Sequence, residues 1–107
     1  MKATIVLNGQ MCTCISRVLV SKKIEQELTA SLKNALGSVK IGHGLDPSTN
    51  LGPLIDMENQ KRAIGLIELA EKEAKMILRG EPGLGDLSKG SFISPTIFRI
   101  DDTTHSL

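Results

Sequence analysis

Two separate stretches of this chain repeat apolar residues at helical spacing, with short β-prone runs before, between and after them. Ile24, Leu28, Leu32 and Ala35 fall on one face of a helix expected over about 22–36, with Lys, Glu and Gln opposite. Ala63, Ile67, Ala70 and Ala74, supported by Ile64, do the same over about 57–75. The runs at 17–20, 39–41, 76–78 and 92–100 read as short strands. Strand, helix, strand, helix, strand is the order of an α/β fold, with a largely parallel sheet flanked by helices.

Punctuation supports these bounds. Ser21 is a candidate N-cap and Gly37 a candidate stop for the first helix, and Asp56 a cap for the second. The stretch 42–53 is dense in Gly, Pro, Asp and Asn and reads as a loop, as does the Gly-rich stretch 79–91. Pro95 must sit at an edge, a bulge or a strand end. Glu68 with Lys72 and Glu71 with Lys75 are spaced to pair across one helical turn, each pair contributing about 0.2–0.5 kcal/mol. Residues 1–8 are apolar and β-branched, and periodicity leaves open a strand or the end of a buried helix. No repeat, low-complexity segment or internal linker divides the chain, so 107 residues make at most one small domain.

With no Trp or Tyr and only Phe92 and Phe98, the core must be aliphatic. Hydrophobic content of 40% against 23% charged residues is that of an ordinary soluble globular protein. The net charge of +1, with no run of Lys or Arg, argues against nucleic acid as a partner. No apolar run approaches membrane-spanning length, and the apolar stretch after Lys2 is too short for a signal peptide. Cys12 and Cys14 are too close in sequence for an unstrained disulfide, so a reducing, cytoplasmic setting is expected.

The segment Gly9-Gln10-Met11-Cys12-Thr13-Cys14-Ile15-Ser16-Arg17-Val18 carries the candidate chemistry. A cysteine just after a glycine turn and before a buried run can be presented where backbone N–H groups stabilise a thiolate or an oxyanion. The plainer reading is that both cysteines are small hydrophobes in the core. The histidines at 43 and 105 with a Cys-x-Cys pair lack the spacing of a zinc module, so no metal site is expected. The glycines at 80, 83 and 85 neither follow a dinucleotide fingerprint nor lead into a helix, and read as a surface loop.

Gly-Gln-x-Cys at 9–12, followed by Ser16-Arg17-Val18, resembles the active-site cysteine signature of the aldehyde dehydrogenase superfamily. Further elements resemble that family in order: the 46–56 segment with Leu51-Gly52-Pro53-Leu54, the 73–80 segment, and Gly90-Ser91-Phe92-Ile93-Ser94-Pro95-Thr96. The likeness covers nearly the whole chain and implies a single partial catalytic domain over 1–107 without the nucleotide-binding domain. By this resemblance Cys12 is the nucleophile, which adds to an aldehyde on the way to a thioester and a carboxylic acid. Met11, Thr13 and Cys14 would shape the substrate pocket. Asn59 or Gln60 would stand where the family has a glutamine contacting the ribose of NAD or NADP.

The chain departs from the family pattern in places. Asn8 directly precedes Gly9, where the family usually has an intervening residue, and Glu73 and Glu81 stand in place of glycines. The family's general base, oxyanion asparagine and cofactor domain are expected upstream, and its Glu-Glu-x-Phe-Gly-Pro motif downstream. The sequence is therefore expected to be a fragment of an aldehyde-oxidising enzyme, inactive alone, that self-associates through apolar surface near 5–7 and 97–100. The alternative is a non-enzymatic remnant acting as a small associating module.

Overall fold

Helical periodicity becomes two helices that pack on one strand. A computed structural model describes residues 5–101 of the chain. The helices are α1 (Glu25–Gly37) and α2 (Met57–Glu73), and both lie against β1 (Lys75–Leu78). α2 begins as its sequence dictates: the Asp56 carboxylate accepts the Asn59 N–H at 2.7 Å, satisfying one of the orphan donors of the first turn. Its inner stripe is Ala63, Ile67, Ala70 and Ala74, with Ala70 fully buried. The apolar core is Leu36, Leu51, Ile67, Ala70 and Phe92, its larger members each contributing roughly 1.5–3 kcal/mol on burial.

α1 starts three residues later than the pattern proposed, with Ile24 at its N-cap and no side-chain cap. Ser21 instead closes the preceding turn: its carbonyl accepts the Ile24 N–H at 3.1 Å, and its hydroxyl the Lys23 N–H at 3.4 Å. Glu71 reaches the Arg79 guanidinium at 2.6 Å rather than Lys75, because the chain turns back after the helix and brings Arg79 alongside.

The sheet differs from the expectation. Among the described residues it has two strands, β1 and β2 (Ile97–Arg99), and they run antiparallel. Lys75 pairs with Arg99, Met76 with Phe98 and Leu78 with Ile97, with a bulge between Met76 and Leu78. Beyond β1 the pairing resumes at the Pro82–Ile93 bridge, where Gly83 N–H donates to Phe92 O at 3.0 Å and Ser94 N–H to Glu81 O at 2.9 Å. The loop and both strands thus form one interrupted ribbon, and Pro95 falls in its gap. A parallel sheet needs neighbours joined by crossovers. Among the described residues the one parallel contact is the single Ile41–Leu51 bridge.

Residues 17–20 form no strand and are exposed, since β-prone side chains make a strand only when another strand pairs with them. Of the run at 1–8 only 5–8 is described: Ile5 is helical and Val6–Gly9 is a short 3-10 turn, so no strand forms there. Met1 to Thr4 and His105 lie outside the described residues. Exposed large apolar side chains include Val18, Leu19 (88% exposed), Ile24, Leu45, Ile55 and Leu84, and Leu7 as expected. Residues 97–100 are half-buried, because β2 is covered by its partner strand.

Candidate active site

The cysteine segment follows a glycine turn, but the buried run expected after it is exposed and forms no strand. Leu7, Asn8 and Gly9 all take positive φ, at 46°, 59° and 74°. Asn and Gly tolerate this region, whereas Leu7 is held there at a cost of about 1–2 kcal/mol. The chain then makes a tight turn over Met11–Cys14, closed by Cys14 N–H donating to Met11 O at 3.0 Å. Cys12 lies in the middle of that turn, exposed, with a free thiol. It is more accessible than Leu28, which is half-buried, and Ile67, which is buried. Cys14 is half-buried, its Sγ donating to Val6 O at 3.3 Å. Of the two cysteines, only Cys12 is presented outward.

Met11 and Thr13 flank Cys12 and are also exposed. A broad, open hollow of about 810 Å³ lies beside this segment, lined by Leu7, Asn8, Gln10, Val39, Asn50 and Pro53 among others. Cys12 is not among its lining residues. The substrate-pocket residues are therefore together on one turn but not around one enclosed cavity.

Two side chains tie this turn to the rest of the molecule. Asn8 Nδ2 donates to Gly52 O at 3.0 Å and Pro53 O at 2.6 Å. Gln10 Oε1 accepts the Ile55 N–H at 3.0 Å, while its Nε2 donates to Leu7 O at 3.0 Å. The anchored segment is itself fixed: Leu54 N–H donates to Ser91 O at 2.9 Å, and Ser91 Oγ to Leu54 O at 2.6 Å. Sequence reasoning missed this role for Asn8 and Gln10. The available signal was Asn before Gly, a pair suited to consecutive left-handed residues.

Asn59 and Gln60, implied as ribose contacts, are otherwise engaged here. Asn59 Nδ2 donates to the Asp56 carboxylate at 2.9 Å. Gln60 is 6% exposed, and its Nε2 donates to Phe92 O at 2.6 Å and Gly90 O at 3.4 Å. The N-terminal ends of both helices are acidic, with Glu25 and Glu27 at α1 and Asp56 and Glu58 at α2. Bonds from the Asn59 backbone and side chain hold the Asp56 carboxyl below its ordinary pKa, so it stays charged there. His43 stacks edge-on against Phe92, ring centres 5.6 Å apart, which makes it a packing residue. Among the described residues no three His, Cys, Asp or Glu side chains gather as metal ligands, and no helix is long and apolar enough to cross a membrane.

Comparison with known proteins places the chain. The model of the aldehyde dehydrogenase family matches residues 1–106. A malonate-semialdehyde dehydrogenase of Listeria monocytogenes is 44% identical over 98 residues, covering 90% of this chain and 19% of that protein. An aldehyde dehydrogenase of Monascus ruber is 37% identical over 92 residues, covering 84% of this chain and 18% of its own length. Among solved structures, an aldehyde dehydrogenase from Bacillus cereus superposes with a TM-score of 0.84 at 33% identity, covering 96% of this chain and 21% of that one. The chain spans about a fifth of the length of these relatives. With a family match over nearly every residue and a fold shared at that level, the chain belongs to the aldehyde dehydrogenase family.

Proposed function

We propose that this chain is the nucleophile-bearing portion of an NAD(P)-dependent aldehyde dehydrogenase, with Cys12 as the nucleophile and no oxidation of aldehydes by these residues alone. The observation that carries the reading is the difference between the two cysteines: Cys12 is exposed at the centre of a turn, while Cys14 is half-buried with its thiol bonded to Val6 O. In the proposed step the Cys12 thiolate adds to the aldehyde carbonyl carbon. A C–S bond forms, the carbonyl π pair moves to oxygen, and the oxygen takes a proton to give a thiohemiacetal. By the family resemblance the Cys12 N–H is the oxyanion donor assigned here, while the Cys14 N–H is committed to Met11 O. Met11 and Thr13, beside the thiol, would contact the aldehyde's substituent.

A relative from Bacillus cereus, 33% identical, has been solved as a complex with NAD+. The residues described here do not fit a dinucleotide. The Asp56 carboxylate caps α2, and Glu25 and Glu27 make the first turn of α1 acidic, which disfavours a pyrophosphate at either helix N-terminus; Gln60 is buried on two carbonyls. The proposal therefore places the cofactor, which would supply hydride acceptance, on residues other than these, and no step is derived through it.

We further propose a cytoplasmic setting and self-association through the exposed side chains of Val18, Leu19 and Ile24. Sedimentation at several concentrations checks the second point, and a monomer throughout would refute it. The nucleophile is tested by adding an aldehyde isotopically labelled at its carbonyl carbon and following that carbon by NMR. A thiohemiacetal resonance should appear, persist in Cys14→Ala and vanish in Cys12→Ala. The reverse pattern would transfer the role to Cys14.

A further inference from the structure

The Cys12 turn is held by side chains rather than by a sheet or a helix. Residues 15–20, which follow it, form no strand, and the three residues before Gln10 are left-handed. Two anchors reach the turn from across the fold. Gln10 supplies one, accepting the Ile55 N–H at 3.0 Å only two residues before the thiol. Asn8 supplies a second hold through Gly52 O and Pro53 O. The segment they grip is joined through Leu54 to Ser91, and it runs into the Asp56 cap of α2.

We propose that Asn8 and Gln10 are positioning residues that latch the Cys12 turn to the 52–55 segment and so determine which of the two cysteines faces outward. This rests on the reading of Cys12 as nucleophile. With the latch closed, Cys12 stands out and Cys14 stays against Val6. With it open, the turn loses its long-range anchors, both thiols sample solvent, and Cys12 loses its fixed direction of approach. Neither residue need touch an aldehyde for this role.

The test uses the 107-residue chain and two readouts without aldehyde: hydrogen exchange at the Ile55 amide, and the ratio of Cys12 to Cys14 alkylation by iodoacetamide mapped on peptides. The unaltered chain should label Cys12 at least about fivefold faster, as expected for an exposed thiol against a half-buried, bonded one. Gln10→Met keeps length but removes the acceptor. It should expose the Ile55 amide and bring the ratio towards unity. Gln10→Glu keeps an acceptor oxygen and should restore both. The Ala74 and Gly83 amides, bonded within the α2 end and the ribbon, report that the fold persists. Should Gln10→Met not fold, Asn8→Gly decides, because it retains the left-handed backbone and deletes only the two side-chain bonds. A ratio unchanged while Ile55 loses protection would overturn the proposal, as would an Ile55 amide indifferent to Gln10→Met. Because no aldehyde is involved, this failure is separable from failure of Cys12 to form a thiohemiacetal.

Discussion

The side-chain amide of Gln60 donates to the Phe92 carbonyl at 2.6 Å, in the buried interior where α2 meets the ribbon. Phe92 O also accepts the Gly83 N–H at 3.0 Å, so one carbonyl joins the helix, the Gly-rich loop and the approach to β2. Gln60 and Ser91 are the buried polar residues of the described chain, and both bind backbone across long sequence separations. Polar groups at such depth remain there because each finds a partner.

Replacing Gln60 by Leu removes the helix's donor and leaves Phe92 O with one bond. The expected loss is about 1 kcal/mol, at the low end for a buried polar group because the Gly83 bond survives. For a domain of this size that lowers the melting temperature by about 4–8 °C. Thermal unfolding followed by circular dichroism measures it, and an unchanged midpoint would mean that the bond contributes nothing.

The helices and the Asp56 cap were legible in the sequence because their causes are local: a period of 3.6 and a carboxylate three residues before an N–H. The presentation of Cys12 followed from Gly9 and the family motif. The strand at 17–20 and the parallel sheet were not legible in the same way. Val18, Leu19 and Val20 have β propensity, but a strand is a relation between two segments, and the described chain pairs nothing with them. The interior role of Gln60 was not legible for a similar reason: only the return of residues 90–92 turns it into an interior donor. The latching roles of Asn8 and Gln10 depend on segments some 45 residues away, which no local pattern announces.

Two glycines should respond oppositely to alanine. Gly65 is exposed within α2, and a methyl group there meets nothing within 4 Å. Gly65→Ala should stabilise by about 0.5–1 kcal/mol, because glycine carries the larger entropy loss in a helix. At Gly83 a methyl carbon would stand 2.6 Å from Leu87 Cβ, 2.8 Å from Leu87 O and 2.9 Å from Phe92 Cβ. Gly83→Ala should cost about 1–3 kcal/mol by overpacking. Urea midpoints should move up for the first and down for the second; movement in the same direction would contradict the packing described.

Asp46 organises the 40–50 loop, accepting the Ser48 N–H at 2.8 Å, the Ser48 hydroxyl at 2.6 Å and the Lys40 ammonium at 3.2 Å. The two Ser48 bonds, then Lys40, lower its pKa from 3.8 to about 2. A depressed carboxylate adds stability that is fully present above its unfolded pKa and is lost as pH falls through the folded one. The loop should therefore hold its order above pH 4 and lose it progressively towards pH 2. The Ser48 amide chemical shift should follow that titration, and Asp46→Asn should abolish it. A Ser48 shift that titrates near neutrality would assign the loop's order to another group.

The isolated chain should reduce neither NAD nor NADP in the presence of aldehydes. Cys12 is exposed and available as a thiol. Addition to an aldehyde is thus open to it, but the oxidation needs more than addition. The described residues offer no cradle for a pyrophosphate, since Glu25, Glu27, Asp56 and Glu58 surround the helix ends that could bind one. Hydrolysis of a thioester needs a base beside the reacting carbon, and the acidic residue nearest the anchored segment, Asp56, is committed to Asn59. General acid–base catalysis typically contributes about 10²–10⁴ in rate, and an oxyanion donor about 10²–10³. Without them, and without a nicotinamide in place, reaction should stay at background. Following the near-ultraviolet absorbance of reduced cofactor with several aldehydes, and with Cys12→Ala as control, decides the matter. Turnover that disappears in Cys12→Ala would mean that copies of this chain assemble a complete site between them.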